Sequence, residues 1–117
     1  MSYALLVIEP PGQRRTRSDA EGREVYGRML RFGEDLKRRG LLTVSQSLKI
    51  GSADARVTMR ESAVVITDGP FAEVKEVIGG FFLLTCDTRE QAIGIARECP
   101  AAEWATIEVR ELGPCFA

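Results

Sequence analysis

The chain opens on an uninterrupted apolar run, Tyr3-Ala4-Leu5-Leu6-Val7-Ile8, closed by Glu9-Pro10-Pro11-Gly12. Such a run, bounded by turn formers, suits a central strand covered on both faces. The period then lengthens. Ser18-Asp19-Ala20-Glu21 sets a hydroxyl three residues before a carboxylate, the reciprocal arrangement that satisfies free N–H groups at a helix start. Val25, Met29, Phe32 and Leu36 follow at helical spacing and give one apolar stripe on a helix of about five turns. Lys37-Arg38-Arg39 suit the negative end of the helix dipole, and Gly40 is a natural C-terminal cap.

Beyond Gly40 the period falls to two. Residues 45–50 and 55–60 read as short strands separated by Gly51-Ser52-Ala53-Asp54. In the second, Val57 and Met59 alternate with Arg56, Thr58 and Arg60, as in a strand with one wet face. Residues 63–67 are apolar and β-branched, and the two-residue spacer Glu61-Ser62 joins them to the preceding strand as a hairpin. Residues 80–86 form a further apolar strand. Thr88-Arg89-Glu90-Gln91 repeats the capping spacing, and Ala92, Ala96 and Cys99, with Ile93 beside them, make the small-residue face of a second helix that Pro100 stops. The last strand alternates Ala105, Ile107 and Val109 with Thr106, Glu108 and Arg110.

The order is β-α-β-β-α-β with an extra hairpin, a ferredoxin-like plait of the α+β class. Both helices then cover one face of an antiparallel sheet and leave the other bare. A homodimer with its two sheets face to face is the symmetrical remedy. With no linker, repeat or low-complexity block, residues 1–117 read as a single domain.

Composition narrows the chemistry. Sixteen Lys plus Arg against seventeen Asp plus Glu leave a net charge of −1, so no global field favours nucleic acid or an anionic membrane. Arg14, Arg15 and Arg17 occupy a Pro/Gly-rich loop without interleaved aromatics, which reads as solvated and makes nucleic acid an unexpected partner. The longest apolar run falls far short of the roughly 20 residues that span a bilayer and lacks the flanks of a signal peptide, so a cytoplasmic location without a membrane partner is expected. Three cysteines, Cys86, Cys99 and Cys115, show no C-x-x-C spacing and argue for free, mostly buried thiols over disulfides or structural zinc. There is no histidine. No Ser-His-Asp triad, Cys-His dyad or His-rich metal site can be built from this chain alone, and neither a metal nor a cofactor is expected.

Candidate chemistry gathers in Asp68-Gly69-Pro70-Phe71-Ala72-Glu73-Val74-Lys75-Glu76 and the Gly79-Gly80-Phe81-Phe82 that follows. Asp68 fits a turn, with Pro70 fixing φ and the carboxylate accepting from a backbone N–H two residues on; it equally fits a general base or orienting group at the mouth of a dimer cavity. Phe71 is either a core plug or a pocket wall. Glu73, Lys75 and Glu76 form a solvated charge cluster or a ligand-binding set. Gly79-Gly80 make a bulge or bring backbone close to a ligand. Arg60, Glu108 and Arg110 lie on polar strand faces. Turned inward, the arginines would hold a carboxylate or phenolate while Glu108 or Asp68 moves a proton; the alternative is an internal Arg–Glu pair that sets the dimer.

The nine-residue run and its downstream glycines resemble the DGPF family of the YCII-related superfamily. Residues 1–8, residues 57–60, Cys99-Pro100-Ala101-Ala102 and Glu108-Val109-Arg110 are similar to that family's first strand, its arginine-ended strand, its "CPAA" helix end and its "EVR" strand. The resemblance implies a dimeric α+β barrel, an arrangement shared with small isomerases, monooxygenases and dehalogenating lyases. Members of the family include proteins of unknown activity associated with genes for extracytoplasmic-function sigma factors, and some YCII-type members act in dehydrochlorination of aromatic breakdown products. YCII members proper share a proposed His-Asp site, whose histidine this chain lacks. Three functions follow as expectations. One is a homodimer whose inter-sheet cavity binds a small, anionic organic molecule in a binding or regulatory role. Another is a cofactor-independent lyase or isomerase with Asp68 or Glu108 as acid/base and Arg60 on the substrate. The third is an interaction module linked to sigma-factor signalling.

Overall fold

The alternation of periods resolves into six strands and two α-helices among residues 2–51, 53–71 and 75–116, which the computed structural model describes. In chain order they are β1 (Ser2–Glu9), α1 (Asp19–Arg38), β2 (Leu42–Ser47), β3 (Ala55–Arg60), β4 (Ala63–Asp68), β5 (Val77–Thr85), α2 (Arg89–Glu98) and β6 (Thr106–Glu111), with single 3-10 turns at Gln13–Thr16 and Pro100–Glu103. The main sheet is antiparallel in the order β2-β5-β1-β6. This is the ferredoxin-like α+β arrangement that the pattern predicts, with β3 and β4 as the additional hairpin.

The uninterrupted apolar run is explained by the central place of β1, which pairs with β5 on one side and β6 on the other. Tyr3, Leu5 and Val7 face the helices with Phe82, Leu84, Ile107 and Val109, and they close over Phe32 and Leu36 of α1 and Ala92 and Ile95 of α2. Leu5, Leu36 and Leu84 are fully buried. Phe32 meets Phe82 edge-on, with ring centroids 5.2 Å apart at 73°, an arrangement that adds electrostatic attraction to the buried area. The alternate residues, including Leu6, Ile8, Phe81 and Leu83, occupy the opposite face, which no helix covers.

The helix ends follow their capping residues. Ser18 Oγ accepts from the Glu21 N–H while the Glu21 carboxylate accepts from the Ser18 N–H, and that bond holds the Glu21 carboxyl below the usual carboxylate range. Gly40, at φ 73°, takes the left-handed conformation that reverses the chain. Thr88 Oγ1 caps α2 by accepting from the Gln91 N–H, and Gln91 reaches back one residue further than expected, to the Asp87 N–H.

The largest departures from the pattern are in β2 and β5. β2 starts at Leu42, because the Leu41 carbonyl already accepts from the Thr85 N–H; it ends at Ser47, so Leu48 and Ile50, read above as strand residues, lie beyond it and are exposed. β5 starts at Val77, and Gly79-Gly80 lie inside it. Val7 pairs with Gly80 while Ile8 pairs with Ile78, which makes Gly79 the extra residue of a bulge. On α2, Ile95 is the deeply buried large residue and Ile93 is only half-buried.

Candidate functional site

The face of the sheet beneath α1 is unevenly filled. Towards α2 it carries Leu5, Leu84 and Val109; towards β2 the inward positions are Ser45, Ser47 and Gly80. These residues are too small to fill the space below the helix, and a groove of about 640 Å³ remains. Its helical wall is Val25, Tyr26, Met29 and Leu30, its strand wall is Thr43 to Ser47, Arg17 and Lys37 bring two cations to its lining, and Glu34 adds a carboxylate. Tyr26 and Leu30 stay about half exposed because they look into this groove. A largely apolar wall with a few convergent polar groups is the usual make-up of a small-molecule site.

At the floor lies Glu9, the one charged residue buried among the described residues, 6% exposed. Its carboxylate receives a two-pronged bond from Arg14, Nε to Oε1 at 3.0 Å and Nη2 to Oε2 at 2.7 Å. The same guanidinium donates to the carbonyls of Gly79 at 3.1 Å and Leu48 at 2.7 Å. Burial of a charge is tolerable only when it is paired and hydrogen-bonded in this way. The bulge glycine makes room: a Cβ on Gly79 would overlap the Glu9 carboxylate and stand 2.7 Å from Arg14 Nη2. Of the two readings of Gly79-Gly80, the bulge is the one observed, and the group that comes closest to the Gly79 backbone is the Glu9 side chain.

Trp104 closes one end of the groove. Gln13 Nε2 donates to its carbonyl at 2.6 Å, and the guanidinium carbons of Arg17 and Arg28 lie 5.6 and 5.4 Å from its ring centre, within cation–π range. Arg28 is also paired with Glu103, which raises the Arg28 pKa and holds the Glu103 carboxyl below its usual range. Arg17 makes no such ion pair among the described residues and keeps its charge available at the rim.

The residues singled out from sequence are dispersed. Asp68 ends β4 and is exposed; no N–H stands two residues on, since Pro70 has none, and it is the Gly69 N–H that donates, to the Asp54 carbonyl at 2.6 Å. The Asx bond expected for Asp68 at that position therefore does not form. Phe71 lies under the Arg56 guanidinium, 4.1 Å from the ring centre. Glu73 falls outside the described residues. Lys75 and Glu76 are exposed at a shallow hollow shared with Ile8, Gln13 and Trp104. Arg60 belongs to the hairpin, whereas Glu108 and Arg110 sit on the uncovered face of edge strand β6, joined by a 3.3 Å ion pair. The groove brings together none of Asp68, Arg60, Glu108 and Arg110.

What the sequence reading missed is the Glu9–Arg14 pair and the small inward residues of β2. A signal was present in the chain, a lone carboxylate ending an apolar central strand and Ser45 and Ser47 at alternate strand positions. Cys86 and Cys99 are buried free thiols, each with its pKa raised by burial, and Cys115 is exposed. Among the described residues no cluster of three His, Cys, Asp or Glu side chains gathers to hold a metal, and no helix is long and apolar enough to cross a membrane.

The fold has a counterpart of known structure in 5-chloro-2-hydroxyhydroquinone dehydrochlorinase from Burkholderia phenoliruptrix AC1100, solved in complex with 2,5-dihydroxybenzoquinone. The two share a TM-score of 0.58 at 15% identity, over 97% of this chain and 94% of that one. At that identity the likeness is one of fold. An uncharacterized protein of Rhizobium meliloti (strain 1021) is 42% identical over 62 residues, and the match spans half the length of each chain. The profile of the YCII-related domain matches residues 1–115, so the chain belongs to the YCII-related domain family.

Proposed function

We propose that this chain is a DGPF-type member of its family and a homodimeric small-molecule-binding protein whose ligand, a flat organic anion, lies in the groove beneath α1. The observation that carries this reading is the groove itself: an apolar helical wall, a floor of glycine backbone beside a buried ion pair, and Arg17 and Lys37 in the lining. Tyr26 offers a face for an aromatic ring, and the two cations offer partners for a carboxylate or phenolate. The site thus moves from the inter-sheet space, where the sequence reading put it, to the helix side of each subunit. Thermal shift with 2,5-dihydroxybenzoquinone and a series of benzoates tests this, since selective binding raises stability by RT ln(1 + [L]/Kd). Stabilisation by at least one compound, lost in Arg17→Ala/Lys37→Ala and Tyr26→Ala, is the expected result. Absence of any shift at millimolar concentration sinks it.

A second reading, a cofactor-independent lyase or isomerase, draws support from Glu9. It is a carboxylate on the groove floor with its orientation held by Arg14, the position that an acid/base group needs. The dehydrochlorinase of the same fold makes this chemistry a reasonable one to assay. In this reading Glu9 takes the part first assigned to Asp68 or Glu108. Turnover of a halogenated hydroquinone that survives Glu9→Gln would discard it.

A further inference from the structure

The β3–β4 hairpin has no covered face. Two strands alone are marginal in water, yet all twelve residues of this pair are exposed. The register sets Val57 opposite Ile66 and Met59 opposite Val64, so four apolar side chains make one continuous surface, exposed between 58% and 68%. Arg56, Thr58, Arg60 and Thr67 take the other side with Ala63 and Val65. No backbone hydrogen bond among the described residues joins the hairpin to the four-stranded sheet. The radius of gyration, 16.1 Å, exceeds the about 13 Å of a compact chain of this length. The hairpin is an arm standing off the body.

Its base is clamped and its root lies at the groove. The Gly69 N–H donates to the Asp54 carbonyl at 2.6 Å, the Asp54 carboxylate accepts from the Gly51 N–H at 3.2 Å, and Arg56 lies over Phe71. A Cβ on Gly69 would stand 2.8 Å from the Asp54 Cβ. These contacts tie the two strands together where they leave the body, so the arm turns as one unit. On the body side Leu48 is held: its N–H donates to the Gly79 carbonyl at 2.9 Å, and its own carbonyl accepts from Arg14 at 2.7 Å. Only Lys49 and Ile50 separate this anchor, at the Glu9 end of the groove, from the clamp at Gly51. A tether of that length spans at most about 11 Å, which keeps the base of the arm beside β2 and the groove mouth.

The dimensions agree. β2 and the arm strands have six residues each, about 20 Å of strand, so an arm folded back at Lys49-Ile50 runs the length of the groove's strand wall. Tyr26 and Leu30, half exposed on the helical wall, then meet the apolar side of the arm. The outer edge of β2, which ends the four-stranded sheet, is covered by the same movement.

We infer that the β3–β4 arm is a lid for the groove of its own subunit: folded back, Val57, Met59, Val64 and Ile66 form the wall that the groove lacks, and the arm standing off is the open form. Closure buries the arm's apolar side without the cost of bringing in a second molecule. It excludes water from whatever the groove holds. It also narrows the ligand. The arm brings no charge to the closed site, because Arg56 and Arg60 lie on its outward side. An anionic group is then met by Arg17 and Lys37 alone, and the ligand edge that faces the arm has to be apolar. The inference rests on the ligand groove proposed above for its purpose, whereas closure itself is read without ligand.

The test places benzoylphenylalanine at position 59 in a co-refolded equimolar mixture of ¹⁴N- and ¹⁵N-labelled chains, irradiates it without ligand and maps the linked peptides by mass spectrometry. Links within one chain from position 59 to peptides of α1 or β2 are the expected result. Light-to-heavy links, links to other elements only, or no links overturn the lid. Stopped-flow dissociation of 2,5-dihydroxybenzoquinone adds a second readout. It should be about 10-fold faster from Ile66→Asp, which loses the burial of one apolar side chain in the closed form, and unchanged from Ile66→Leu. Equal rates from wild type and Ile66→Asp overturn the lid. If the links form and neither this quinone nor any benzoate binds, the lid stands and the ligand reading falls. If a compound binds and no link forms, the groove stands and the lid falls.

Discussion

Position 79 has room for a hydrogen and nothing more. The Glu9 carboxylate occupies the volume a side chain would take, and Arg14 ties that carboxylate to the Gly79 and Leu48 carbonyls, so the bulge, the loop after β2 and the end of β1 depend on one another. Gly79→Ala must displace Glu9 and separate a buried pair, which costs on the order of 3 kcal/mol; a loss of that size in urea-unfolding free energy is the expected outcome. The reach of the network explains why it was not legible in the sequence. Arg14 stands in a loop that reads as solvated, and although Glu9 is five residues away, the two carbonyls that complete the network lie 34 and 65 residues along the chain. One part of the Asp68 reading failed in the opposite direction: the Asp-Gly-Pro run reads as a turn, but its proline has no N–H for the carboxylate to bind two residues on.

Elements were legible where local chemistry decides them and blurred where long-range pairing does. The ends of α1 follow from Ser18, Glu21 and Gly40, all of which act on their immediate neighbours. β3 has the bounds its alternation predicts. β2 does not, because its start is fixed by Thr85, some forty residues away, and beyond Ser47 the Leu48 N–H still reaches the Gly79 carbonyl at 2.9 Å while the apolar tail at Leu48 and Ile50 is exposed and no longer part of the strand. If capping sets the helix start, Ser18→Ala should cost about 1 kcal/mol. Gly94→Ala, where an added Cβ meets nothing within 4 Å on an exposed turn of α2, should return a similar amount. Equilibrium denaturation of the two single variants and the double checks both values, and their separation in the fold calls for simple additivity.

At the scale of the molecule, one sheet serves two purposes on its two faces. The helix side holds the groove of the proposed ligand and the other side holds the surface of the proposed dimer, with a single layer of strands between them. Side chains alternate across that layer, so a substitution can address one face and spare the other. Ser47 lines the groove opposite Gly80 and is exposed, whereas Leu6 stands on the uncovered face. Ser47→Leu adds bulk into open space, so unfolding stability should stay within about 0.5 kcal/mol of wild type. The same variant should abolish ligand-induced thermal stabilisation and leave the mass from light scattering at that of wild type. Leu6→Glu puts a charge at the centre of the proposed interface and should yield monomers, which retain the ligand-induced shift if each groove is built by one subunit alone. Were Leu6→Glu to lose the shift along with the dimer while remaining folded by circular dichroism, the ligand would belong to the space between the sheets, and the helix-side groove would be the wrong site.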